Sequence, residues 1–112
     1  MQKLISIVTP CFNEEENIEI LCRKIKEILF KLNYSYEHIV IDNKSTDKTR
    51  EILRSLASED KNLKLIFNNK NYGHIRSPYH AIMESNGDAT ILISADFQDP
   101  LELIPDLISK WE

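Results

Sequence analysis

Four short apolar runs, separated by stretches of helical period or polar turns, constrain this chain more than any other feature. Residues 4–8 form a β-branched run closed by Thr9-Pro10, and residues 36–41 form a second that ends on Asp42. Residues 63–67 and 89–93 are the third and fourth. Between the first two, Ile18, Leu21, Cys22, Ile25, Ile28, Leu29 and Leu32 recur at helical spacing, which places Cys22 in a core stripe. Ser45 or Thr46 is expected to cap a second helix, whose inner face is Ile52, Leu53, Leu56 and Ala57. A third helix follows the turn at residues 68–73, with Ser77 as cap and Pro78 at its first position. It stops near Asn86-Gly87, where Gly87 is expected in the left-handed conformation. Asp99, Pro100 and Glu102 have the order of a cap, a first-turn proline and a third-position acid. Pro105 forces a second start, and Leu107, Ile108 and Trp111 are the last apolar face. The alternation predicts an α/β domain, a mostly parallel sheet with right-handed crossovers and helices on both faces.

With 112 residues, 42% of them hydrophobic, the chain has material for one domain with a small core. A net charge of −4, without a basic tail or stripe, argues against a nucleic-acid or acidic-membrane partner. No apolar segment approaches the roughly 20 residues that cross a bilayer, and the N-terminus has no signal-peptide pattern. Cys11 and Cys22 make neither a disulfide framework nor a metal cluster, so a reducing, cytoplasmic setting is expected.

Ligands of open parallel sheets bind beyond the C-terminal ends of the strands, and three loops leave that edge with functional groups. In residues 10–16, Glu15 and Glu16 read as a first helical turn complementing the helix dipole. Phe12 offers a ring on which a base can stack, and Asn13 reads equally as a helix cap or a ligand contact. In residues 41–47, Asp42 abuts the apolar run, where an acid accepts hydrogen bonds from a nucleoside, whereas Asp47 reads as support for the helix N-terminus. In residues 94–100, Asp99 reads as a cap, leaving Asp96 and Gln98 as the groups to hold a hard divalent cation against a phosphate.

Other small α/β classes fail specific tests. The chain has 2 glycines, neither after the first strand, so a dinucleotide fingerprint is absent, as is a phosphate loop ending in Gly-Lys-Ser/Thr. A receiver-type domain needs an acceptor aspartate ending the third strand, which here ends on Phe67-Asn68-Asn69. For Cys11 to act as a nucleophile it needs a base, and nothing places His38, His74 or His80 beside it.

Four motifs in order then resemble the family 2 glycosyltransferases. They are Val8-Thr9-Pro10-Cys11-Phe12-Asn13-Glu14-Glu15, Ile41-Asp42-Asn43-Lys44-Ser45-Thr46-Asp47, Asn71-Tyr72-Gly73 and Ala95-Asp96-Phe97-Gln98-Asp99-Pro100. The chain looks most like the polyprenyl-phosphate glycosyltransferase and dolichol-phosphate mannose synthase branch, over essentially its whole length. The resemblance implies the Rossmann-like half of a glycosyltransferase A-type fold and a metal-dependent, inverting transfer from a nucleotide-sugar, in cell-envelope glycan synthesis. Pro10, Phe12, Asn13, Glu14 and Asp42 would line the nucleoside pocket, with Arg76 either an anion contact or a solvent-exposed arginine. Asp96 and Gln98 would face the diphosphate and its Mg2+ or Mn2+. Two positions depart from the family: Ser94 stands where an acid is common, and Phe12 where the loop aromatic is usually Tyr. By the same resemblance, residues 1–112 are the nucleotide-sugar-binding part of a longer catalytic domain and inactive alone. The catalytic base, the site for a polyprenyl-phosphate acceptor and transmembrane helices would follow Glu112, at the cytoplasmic face of the membrane. The rival reading is a nucleotide-binding module without catalytic activity.

Overall fold

A computed structural model describes residues 4–32, 34–68, 87–93, 101 and 103–111. Four strands form one parallel sheet: β1 (Leu4–Cys11), β2 (Ser35–Asp42), β3 (Leu63–Phe67) and β4 (Ala89–Leu92), in the order β3-β2-β1-β4. Three helices are described, α1 (Ile18–Leu32), α2 (Thr49–Glu59) and α3 (Leu103–Trp111). The anticipated helix beginning at Ser77 lies outside the described residues.

All three described helices pack on one face of the sheet. Ile18, Leu21, Cys22, Ile25 and Leu29 of α1, Leu53 and Leu56 of α2, and Ile104 and Ile108 of α3 join Ile5, Ile7, Val40 and Leu63 in one cluster. Burial pushes the Cys22 thiol up to about 12, as suits a core residue. Val8, Ile39 and Ile41 form a second buried cluster on the opposite face, with none of the described helices contributing to it. A strand alternates its side chains between faces, so β1 and β2 need apolar partners on both sides.

The described elements stand where the periodicity puts them, with four differences, and the helix start expected at Asp99, Pro100 and Glu102 lies outside the described residues. β1 runs on through Pro10 to Cys11. Val8 accepts the Ile93 amide at 2.8 Å on the β4 side, and Pro10, two residues on, turns the same way. β4 has ended there, so the missing N–H has no ladder bond to break, while pairing with β2 continues to Cys11↔Asp42. Neither Ser45 nor Thr46 caps α2, which opens after Lys48 with no side-chain cap. Gly87 is not left-handed; a Cβ there would lie 2.7 Å from the Ser6 nitrogen and 2.8 Å from the Ala89 carbonyl oxygen, so close approach demands glycine. The inner face of α3 is Ile104 and Ile108, whereas Leu107 and Trp111 are 45% and 39% exposed. Pro105 sits in the first turn of α3, where no helical partner waits for its N–H.

Candidate functional site

β1, β2 and β4 all end at one edge of the sheet, and there the chain weaves the loops after β1 and β2 together. Asp42, the last residue of β2, is 0% exposed. Its carboxylate accepts the Ser45 amide at 2.9 Å, the Ser45 hydroxyl, and the Arg50 Nε–H at 2.5 Å. Arg50 also donates to the Asn68 carbonyl at 2.7 Å, and with Arg54 its guanidinium lies over the Phe67 ring at 4.9 and 4.8 Å. The ends of β2 and β3 and the first turn of α2 are therefore one unit. Asn43 and Asn68 extend it through an amide–amide bond of 2.8 Å, with Asn43 donating its own N–H to the Cys11 carbonyl at 3.0 Å.

The first loop is fastened to this unit by side chains. Asn13 holds a positive φ of 53°, a conformation asparagine tolerates better than most residues. Its backbone N–H donates to the Ser45 hydroxyl at 2.9 Å. Its side-chain carbonyl accepts the amides of Thr46 at 2.8 Å and Asp47 at 3.3 Å. Glu14 donates its N–H to the Thr49 hydroxyl at 2.9 Å, and Glu15 donates to Asp47 at 3.3 Å. Burial pushes the Asp47 carboxyl up, but bonds from the Thr49 hydroxyl and the Thr49 and Glu15 amides outweigh it and hold it below the usual range. Asp47 thus supports the start of α2, through the 2.9 Å bond it accepts from the Thr49 amide.

The structure separates the expected nucleoside residues by exposure. Phe12 is 43% exposed at the loop crest, with Pro10 and Glu14 partly covered near it in the chain. Asn13 is exposed, but its side-chain carbonyl is spent on the second loop instead of capping a helix. Asp42 is sealed beneath, its oxygens taken by Ser45 and Arg50. Sequence reasoning missed Ser45, Arg50 and Asn68; an arginine eight residues after a strand-end acid, in the first turn of the next helix, was the available signal for Arg50. Arg76, Asp96 and Gln98 lie outside the described residues. Among the described residues no group of three His, Cys, Asp or Glu side chains is placed to hold a metal ion, and no helix is long and apolar enough to cross a membrane.

Cys11 is buried, a setting that disfavours its thiolate. Burial raises its thiol pKa well above the usual range, and the neighbouring Asp42 carboxylate raises it further. His38 points its ring at Thr9, with Nε2 2.8 Å from the hydroxyl, and is fully buried. A cavity of about 620 Å3 lies at the opposite edge, lined by Leu4, Ser35, Tyr36 and Lys61, away from all of these loops.

The chain is similar to known proteins over nearly its whole length. The family model for glycosyl transferase family 2 matches residues 6–112. A prophage bactoprenol glucosyl transferase homolog of Escherichia coli is 37% identical over 108 residues, covering 96% of this chain and 35% of that protein. Among solved structures, the mannosyltransferase PcManGT of Pyrobaculum calidifontis, in complex with GDP-Man and Mn2+, superposes with a TM-score of 0.76 at 22% identity. It covers 99% of this chain, which in turn spans 32% of it. The glucosyl-3-phosphoglycerate synthase of Mycobacterium tuberculosis, with Mn2+, UDP and glucosyl-3-phosphoglycerate, has a TM-score of 0.67 at 26% identity, over 97% of this chain and 39% of its own. The chain spans about a third of the length of the curated relatives it matches. The parallel sheet with its helices is the Rossmann-like half expected of a glycosyltransferase A-type fold.

Proposed function

This chain belongs to glycosyl transferase family 2, and on that premise we propose that residues 1–112 are the nucleotide-sugar-binding part of a longer inverting glycosyltransferase. The observation that carries the reading is the double loop at the strand ends, which exposes the Phe12 ring above a sealed Asp42. In this reading the ring stacks on the nucleobase of the donor, and Pro10 and Glu14 flank it. Asn13 and Asp42 hold the pocket's shape from below, by bonds to the second loop. The chain leaves β4 at Ile93 on this same edge, and Asp96 and Gln98 follow three and five residues later. These two would hold a divalent cation, Mg2+ or Mn2+, whose chemistry is charge neutralisation of the departing diphosphate, an effect typically worth several kcal/mol. Two of the described acids nearby are committed elsewhere: Asp42 is tied to Arg50, and Asp47 to Thr49. Arg76 is assigned to the anionic part of the donor.

Transfer then requires an acceptor oxygen in line with the anomeric carbon, as the nucleoside diphosphate leaves. The relative's name supports a polyprenyl-phosphate acceptor and a place in cell-envelope glycan assembly, and we assign that work to the cytoplasmic face of a membrane. The acceptor site and catalytic base are assigned to chain beyond Glu112. Calorimetric titration with UDP and GDP, with and without Mn2+, tests the donor site. Phe12→Ala should weaken the preferred nucleotide by about 1–3 kcal/mol, the range for stacking of a base on an aromatic ring, and Phe12→Tyr should bind within twofold of the parent. Unchanged affinity in Phe12→Ala overturns the assignment.

A further inference from the structure

The site geometry contains a relay that the proposed function does not by itself require. Arg50 donates to Asp42, Asp42 accepts both the amide and the hydroxyl of Ser45, and the Ser45 oxygen accepts the N–H of Asn13 at 2.9 Å. Asn13 is one of two non-glycine residues with positive φ among those described. Such a conformation persists where surrounding bonds over-determine it. The residue before it is Phe12, exposed, and before that Cys11 is pinned by its carbonyl to the Asn43 amide at 3.0 Å and by its buried thiol, 3.6 Å from Asp42. The Phe12 backbone is therefore held on both sides by groups that lead to one buried carboxylate.

We infer that Ser45 is a positioning residue for the Phe12 ring, transmitting the fixed geometry of the Asp42–Arg50 pair to the loop that carries it. A hydroxyl suits the task because one atom donates to the carboxylate and accepts from the loop amide. Removing it leaves the Asn13 N–H without its partner and Asp42 Oδ1 with only the long contact to the Cys11 thiol, and frees the backbone that aims the ring. A ring that must be ordered upon binding binds more weakly than one already placed. The inference rests on Phe12 being the stacking residue.

A double-mutant cycle tests it. The nucleoside diphosphate that binds the parent chain more tightly, UDP or GDP, is titrated by calorimetry into the parent, Ser45→Ala, Phe12→Ala and the double variant. Ser45→Ala should bind five- to tenfold more weakly in the parent background and less than twofold more weakly in the Phe12→Ala background. Ser45→Thr, which keeps the hydroxyl, should return affinity to within twofold of the parent. Ser45 lies outside both core clusters, and the melting temperature of each variant confirms that the chain titrated is folded. Equal losses in both backgrounds overturn the inference, because Ser45 then acts without the ring. A lowered melting temperature with unchanged affinity overturns it too, as a merely structural role. If Phe12→Ala weakens binding while Ser45→Ala does not, only this inference falls; if Phe12→Ala has no effect, the stacking reading falls and takes the inference with it.

Discussion

β2 buries two carboxylates five residues apart, Glu37 and Asp42, and each meets a serine hydroxyl and a cation. Glu37 accepts the Ser6 hydroxyl at 2.5 Å and Lys64 Nζ at 2.7 Å. Asp42 accepts Ser45 and Arg50. The chemistry is nearly the same, and the surroundings are not. The partners of Glu37 come from the adjacent strands β1 and β3, so the bonds close within the sheet. The partners of Asp42 come from a loop and a helix, and through Ser45 and Arg50 they tie the loops that follow β1 and β3 to the carboxylate. A buried acid in mid-strand stitches strands already paired, whereas one at a strand end gives shape to loops. The cations differ as well: the Lys64 side chain is 53% exposed, and that of Arg50 24%.

The largest expected effect follows from that last difference. Arg50→Ala leaves a fully buried carboxylate without its cation, and breaking such a pair costs about 3–5 kcal/mol. Urea denaturation should show a loss of that size, with the midpoint falling steeply. A loss no greater than that of Lys64→Ala breaks the distinction between the two acids.

Acid sharpens the comparison from the side of the strand interior. Burial lowers the pKa of His38 to about 4, next to Glu37 in β2 and bonded to Thr9. The unfolded chain takes up a proton near pH 6.5 that the folded one refuses until about 4. Stability is therefore full above pH 6.5 and declines as pH falls to 4, by roughly 3 kcal/mol. His38→Gln should flatten the decline in that window, measured as the difference in unfolding free energy between variant and parent at each pH. A parallel decline in both proteins assigns the acid sensitivity elsewhere.

Lys64→Ala is the smallest effect. Glu37 is as buried as Asp42, but removing a half-exposed ammonium opens its carboxylate to water, so the loss should be smaller than for Arg50→Ala and shrink further in high salt. Nucleotide affinity should be untouched, since Glu37 lies five residues back along β2 from the strand end that carries the double loop. A salt-insensitive loss of several kcal/mol would show that Glu37 depends on its cation as much as Asp42 does.

Much of this was legible from residue order. Ile18, Leu21, Cys22, Ile25 and Leu29 point inward because helical spacing puts them on one side. Asp47 braces α2, as an acid just before a helix should. Local pattern failed where a residue's partner is remote in sequence. Ser45 and Thr46 have the chemistry of caps, yet Asn13, more than thirty residues earlier, engages both. Gly87 resembles a helix stop, and Ser6 is the reason it is glycine. On α3, Ile104 and Leu107 are both apolar at helical spacing, and only packing against α1 and the sheet selects Ile104 for the interior.

The sequence by itself determined the described strands and their succession along the chain, their parallel sense, and the edge at which Phe12 and Asp42 emerge. These follow from periodicity and chain connectivity, which are local properties. Only the tertiary structure decided that Asp42 is sealed while Phe12 is presented. That division is set by Arg50 and Ser45 converging on one carboxylate from separate segments, with Asn68 holding the Asp42 main-chain carbonyl, and a buried charge takes whichever partners the fold brings within hydrogen-bond reach.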